Sequence, residues 1–212
     1  MLAGLGGVSI CGDASTVRER LARLDDLRPP LVISWGVCGG LDPRLRPGDL
    51  VVGSEVVSDH ENIRTDELVA LSIEKRLINA GARVVVGRFA NANAPVLTAR
   101  AKAKLRNATE AAAVDMESLS AGRFALAQRT RFAILRAVAD PAGQDLPLLV
   151  LKAVDSRGRV KRAAAIKELV RSPGQFMAAL AVARQSKAAL RALDRARRPL
   201  ASVFLALGLD HP

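Results

Sequence analysis

The sequence predicts an α/β fold: a central mixed, mainly parallel sheet flanked by helices as a three-layer sandwich, followed by a basic helical C-terminal extension. Three observations lead there. Short apolar runs rich in Val and Ile alternate with longer stretches whose apolar residues recur every three or four positions. The apolar runs are continuous rather than strictly alternating, as in strands covered on both faces. And 212 residues at 50% hydrophobic content are enough for one domain with a sizeable core.

Taken in order, the expected strands are "VSIC", "PLVISWG", "DLVVGSEVV", "ARVVVGRFA", "AAAVDM" and "RFAILRAVAD". Helical spacing covers residues 14–27, 66–80, 98–107 and 117–129, with Asp13, Thr65 and Thr98 as expected N-caps. Strands are expected to stop after Asp140. From about residue 160 the pattern is helical, with Ser172-Pro173 supplying a cap and a first-turn proline before "GQFMAALAVARQSKAALRAL". Phe176, Leu180 and Leu190 are the residues expected to reach the sheet. The chain is therefore divided into a core, 1–155, and a basic helical extension, 156–212, packed on or next to it.

Composition removes several classes. No apolar run reaches the roughly 18 residues of a bilayer span, and the start lacks the basic region of a secretory signal, so the expected compartment is the cytoplasm. Cys11 and Cys38 form no disulfide framework, and His60 and His211 belong to no metal motif. Of the net charge of +11, residues 151–212 carry +9, from 13 Lys/Arg against 4 Asp/Glu. With no tyrosine and 3% aromatic residues there is no stacking platform for a nucleic acid. An anionic membrane surface, met through the apolar face of an amphipathic tail, is the expected partner of that charge; a solvated basic helix is the alternative.

Ligands of open α/β sheets bind beyond the carboxyl ends of strands. Three such ends carry unusual residues. "SWGVCGGLDPRLRPGDLVV" places Gly36, Gly39 and Gly40 after a strand, as a loop through which backbone amides approach a ligand or as a tight turn. It matches neither GxGxxG nor GxxxxGK[ST]. "VDMES" sets Asp115 and Glu117 around Met116; Asp115 is either a helix cap or an acceptor for hydroxyls. "LRAVADPAG" puts Asp140 at a strand exit before Pro141, whose ring bars the helical conformation at the aspartate.

These three motifs, in this order, resemble the nucleoside phosphorylase and nucleosidase superfamily of purine nucleoside phosphorylases and methylthioadenosine/adenosylhomocysteine nucleosidases, over about residues 31–150. "GGLDPRLRPGDLVV", "VDMES", "ADPA" and the tail's "RSPGQF" are most similar to hopanoid-associated members. The resemblance implies cleavage of the N-glycosidic bond of a purine nucleoside, releasing adenine from a 5′-substituted adenosine such as adenosylhopane. The alternatives are a general purine nucleoside phosphorylase, a methylthioadenosine/adenosylhomocysteine nucleosidase, or a nucleoside-binding protein of impaired catalysis. By resemblance Glu117 accepts hydrogen bonds from ribose hydroxyls, and Asp140 protonates or hydrogen-bonds N7 of the departing base. Met116 packs on the nucleoside, the backbone near Val96 reads the purine edge, and Asp115, Val37, Cys38 and Gly39 line the site. No cofactor or metal is implied; inorganic phosphate is the alternative co-substrate to water. The family pattern implies a homodimer or larger homo-oligomer. The chain begins near what resembles the family's second strand, so either the start is placed too late or another acid activates the nucleophile, with Glu61 as the candidate. Val37 and Ala139 stand where relatives carry serines.

Overall fold

The computed structural model describes residues 10, 14–24, 28–146 and 176–206. Among them are α1 (Ala14–Ala22), β1 (Leu31–Gly40), β2 (Leu50–Val57), β3 (Asn62–Arg64), α2 (Glu67–Asn79), β4 (Val84–Asn91), α3 (Ala99–Thr109), β5 (Ala113–Asp115), α4 (Ser118–Ala127), β6 (Arg131–Asp140) and α5 (Phe176–Ala206). The expected first strand at 8–11 lies outside the described residues except for Ile10, which is in neither helix nor strand. The Asp13 cap and the Ser172-Pro173 helix start also lie outside them.

The class is as expected, a mixed α/β arrangement with a central sheet flanked by helices. Strand order is β3-β2-β4-β5-β1-β6, and β6 also pairs with β2. The sheet therefore closes on itself through β2, β4, β5, β1 and β6, with β3 hanging from β2. The longest ladders, β1 with β6 and β2 with β4, are parallel; β5 runs antiparallel to β1, and β6 antiparallel to β2.

Continuous apolar runs arise because successive strand residues enter different clusters. On β6, Ala133, Leu135 and Ala137 join Val69, Ile73 and Leu77 of α2 and Ala189, Leu193, Ala196 and Leu200 of α5. The intervening Phe132, Ile134 and Val138 join Leu119, Ala121 and Ala125 of α4.

Three details correct the sequence expectations. The cap of α2 is Asp66, whose carboxylate accepts from the Val69 amide, while the Thr65 hydroxyl donates to Gly53 O and Ser54 O; Thr98 does cap α3. Gly36, Gly39 and Gly40 lie inside β1 rather than in a loop, because β1 is extended by pairing to β5 on one side and β6 on the other. The tail helix turns its apolar stripe to the sheet through Val182, Ala189, Leu193, Ala196 and Leu200, leaving Leu190 60% exposed. It continues through Pro199 to the fully buried Leu200, although a proline inside a helix costs about 3 kcal/mol.

The turn after β1, "LDPRLRPGD", is held by its own carboxylates. Asp42 accepts from the Arg44 amide and from the side chains of Arg44 and Arg106, and Asp49 accepts from the Arg46 amide. Gly48 has φ +91°, a conformation that favours glycine, and lies against Ala188 of α5.

Candidate active site

The site is assembled around Gly39. It pairs with Val114 of β5 on one side and with Asp140 of β6 on the other. A Cβ at Gly39 would lie 3.1 Å from Val114 Cγ1 and 3.2 Å from Asp140 Oδ2, so a side chain there would crowd both neighbouring side chains, the carboxylate of Asp140 among them. The residues following Val114 are Asp115, Met116 and Glu117; in this way β1 brings "VDMES" beside "ADPA".

Arg136 of β6 organises the first carboxylate pair. By strand alternation it takes a position that belongs to the α4-side core, and it is 5% exposed. Its Nη1 donates to Glu117 Oε2 at 3.0 Å and to Val37 O at 3.1 Å, and its Nη2 to Ser34 Oγ at 2.6 Å. Its Nε is 2.8 Å from Asp115 Oδ2 without pointing its hydrogen at that oxygen, so this contact is an ion pair rather than a directed hydrogen bond. Asp115 also accepts from the Ser118 amide at 3.1 Å and from the Ser118 hydroxyl. Its side chain is 1% exposed, against 24% for Glu117. Asp115 thus caps α4 and anchors Arg136 from beneath, and Glu117 is the carboxylate that faces the site. Burial pushes the Glu117 carboxyl above its ordinary range, opposed by the Arg136 charge.

Asp140 is held by Lys102, a residue of α3 with no exposed surface. Lys102 Nζ lies 2.6 Å from Asp140 Oδ2 and donates to Pro141 O at 2.9 Å and Gln144 O at 3.1 Å. The Ala99 amide donates to Asp145 Oδ1, which ties the same loop to the start of α3. Burial pushes the Asp140 carboxyl up, and its bond to Lys102 opposes this. The site therefore holds two carboxyls in different surroundings, one against a guanidinium and one against an ammonium.

The other expected residues divide. Met116 lines a cavity of about 570 Å³ together with Arg18, Ser58, His60, Asn91 and Arg123. Val96 lies in the loop after β4, half-buried against Leu41, Ala90, Ala111 and Val114. Val37 is 39% exposed. Cys38 is buried, and desolvation pushes its thiol far up, which makes it a small apolar wall and not a nucleophile. Glu61 is paired with Arg123 beside the cavity. Among the described residues no group of three His, Cys, Asp or Glu side chains is placed to hold a metal, and no helix is long and apolar enough to cross a membrane.

Arg136 and Lys102 are the functional candidates that sequence reasoning passed over. Arg136 had a signal, a single charge in the apolar run "RFAILRAVAD". Lys102 had none, because it stands among Arg100, Lys104 and Arg106 on a helix that reads as basic surface.

A family model described as the phosphorylase superfamily matches residues 2–171. The 5′-methylthioadenosine/S-adenosylhomocysteine nucleosidase of Geobacillus kaustophilus is 28% identical over 141 residues, 58% of this chain and 60% of that protein. The chain thus spans about three fifths of that relative's length. Two solved structures share the fold. A putative methylthioadenosine nucleosidase from Weissella paramesenteroides gives a TM-score of 0.63 at 15% identity, covering 93% of this chain and 78% of that one. An S-adenosylhomocysteine nucleosidase from Streptococcus pyogenes in complex with 5-methylthiotubericidin gives 0.60 at 15% identity, covering 87% and 75%.

Proposed function

The chain belongs to the phosphorylase superfamily, and on that premise we propose that it cleaves the N-glycosidic bond of a purine nucleoside, with water as the acceptor. One observation carries this reading: Gly39 of β1 pairs with both Val114 and Asp140, so the strand ends that carry two differently held carboxyls, Glu117 just after β5 and Asp140 on β6, lie on either side of one strand. Glycosidic cleavage places positive charge on the sugar and negative charge on the base. Glu117, oriented by Arg136, accepts hydrogen bonds from the ribose hydroxyls and faces the developing cation. Asp140 gives a proton to N7 as the bond to the base breaks. Met116 packs on the sugar and Val96 borders the base.

The finer reading taken from the sequence motifs is an adenosine bearing a polycyclic lipid, adenosylhopane. The polar lining beyond Met116, with Arg18, Ser58, His60 and Asn91, favours a second reading, a small polar 5′ substituent such as that of S-adenosylhomocysteine. Release of free adenine from adenosylhopane, S-adenosylhomocysteine, methylthioadenosine and adenosine, measured with and without phosphate, tests both. Ribose 1-phosphate formation would replace water by phosphate as the acceptor. No base release from any of the four would remove the function.

Two associations complete the proposal. Arg184, Lys187, Arg191, Arg195 and Arg198 recur every three or four residues on the face of α5 opposite its buried stripe, over about 21 Å. Because the apolar face of α5 is spent on the sheet, contact with an anionic membrane is electrostatic, and vesicle co-sedimentation should vanish as salt rises. The outer face of α2, with Leu68, Leu71 and Ile78 exposed, is the surface proposed for self-association; Leu71→Lys should lower the mass seen by sedimentation.

A further inference from the structure

We propose that Lys102 and Asp140 form one proton-holding pair, in which Lys102 passes a proton through Asp140 to the departing base. This rests on the function proposed above and names how its acid is recharged. The three hydrogens of the buried ammonium meet three acceptors: Asp140 Oδ2 at 2.6 Å, Pro141 O at 2.9 Å and Gln144 O at 3.1 Å. Moving one proton to Asp140 leaves an amine with two hydrogens, which still donate to the two backbone carbonyls, and a lone pair that accepts from the new Asp140 O–H. Both forms of the pair are fully hydrogen-bonded, and neither leaves an unpaired charge in the interior.

The step balances. As the glycosidic bond breaks, its electron pair moves onto the base and N7 takes the proton of the Asp140 carboxyl. Asp140 takes a proton from Lys102. Water adds to the sugar carbon and releases a proton to solvent, and once the base has left the pair regains one from there through Asp140, whose side chain is 16% exposed while that of Lys102 is fully buried. Among the described residues, the other groups near Asp140 supply no proton. Cys38 of β1 keeps its thiol hydrogen through burial, and Arg136, further down β6, is engaged by Asp115, Glu117, Ser34 and Val37. Among the described residues, Lys102 is the cation that touches Asp140.

The test compares wild type, Lys102→Met and Lys102→Arg by the pH dependence of kcat/KM for base release, with folding followed by circular dichroism. With Lys102→Met, Asp140 must hold its proton alone. In wild type the alkaline limb marks loss of the last proton of the pair, whereas in Lys102→Met it marks the lone carboxyl, so the limb should move to lower pH and activity at pH 8 should fall by more than about tenfold, within the 10²- to 10⁴-fold range of general acid catalysis. Lys102→Arg keeps the charge but yields no proton and should lose more than about tenfold at every pH. A uniform loss in Lys102→Met with no displaced limb, or an arginine variant as active as wild type, overturns the pair. A proton inventory on wild type needs no variant: mixed H₂O/D₂O rates should be bowed, and a linear dependence overturns the relay. Should wild type release no base from any nucleoside, the function fails, and the ¹³C titration of the Asp140 carboxyl still decides the pairing. Its midpoint should rise in Lys102→Met; an unchanged midpoint overturns it.

Discussion

Replacing Arg136 by methionine keeps most of the side-chain volume and removes the only cation, among the described residues, that touches Asp115 and Glu117. The cost follows from what stays behind. Asp115, with a side chain 1% exposed, retains the amide and hydroxyl of Ser118 as its partners among the described residues. Removing one member of a buried ion pair costs about 3–5 kcal/mol, chiefly because the other charge is left uncompensated. For a chain of this size each kcal/mol lowers the melting temperature by roughly 2–4 °C, so Arg136→Met should melt roughly 6–20 °C lower. If the orphaned charge is the cause, adding Asp115→Asn should restore about half or more of the loss, since the amide oxygen can still cap Ser118. Thermal and urea denaturation of the wild type, both single variants and the double variant give the cycle. A melting point for Arg136→Met within roughly 2 °C of wild type, or a double variant no more stable than Arg136→Met, refutes the reasoning.

Asp140→Asn should lower turnover by roughly 10²- to 10⁴-fold while leaving nucleoside binding within about tenfold, as equilibrium binding beside the rate will show. Glu117→Gln should weaken ribonucleosides more than their 2′-deoxy analogues, because only the former lose a charge-assisted bond; equal losses in kcat/KM would place Glu117 elsewhere. Burial raises the Glu117 carboxyl from 4.5, so the acid limb of kcat/KM should have its midpoint above that value. The sign is separable from unfolding: a carboxyl raised in the folded state binds its proton more tightly there, so its protonation favours the fold, and circular dichroism should hold while activity falls. Leu193→Ala, at 5% exposure, should cost about 2–5 kcal/mol, whereas Leu190→Ala, 60% exposed, should fall within about 0.5 kcal/mol of wild type.

Strands were legible wherever both faces of the sheet are covered, because Val51 and Val52, or Ile134 and Leu135, are apolar for different neighbours. β3 was not, since three residues carry no period. The glycines of β1 read as a loop because their strand pairing is to Val114 and Asp140, far away in sequence, and no local pattern announces it. The two acids of "VDMES" were visible, but their division of labour was not: which caps the helix and which keeps an exposed carboxyl depends on where α4 begins and on Arg136. The tail's charge was legible and its apolar partner was not, since a stripe at helical spacing fits a sheet and a membrane equally well.

Closure of the sheet bears on how the chain reaches this structure. Leu50 of β2 pairs with Ala137 of β6, and the cluster beneath them is completed by Leu193 and Leu200 of α5. During synthesis β2 and β4 emerge long before the strand that seals the ring. At roughly 5–20 residues per second that interval lasts several seconds, with backbone donors and acceptors of β2 open to any other extended segment. Such distant pairing also slows refolding of the finished chain, since the loop must close before its contacts reward it. A ribosome-bound chain halted before β6 would thus carry an unsealed strand edge, and the emergence of β6 decides whether that edge meets its own chain or another.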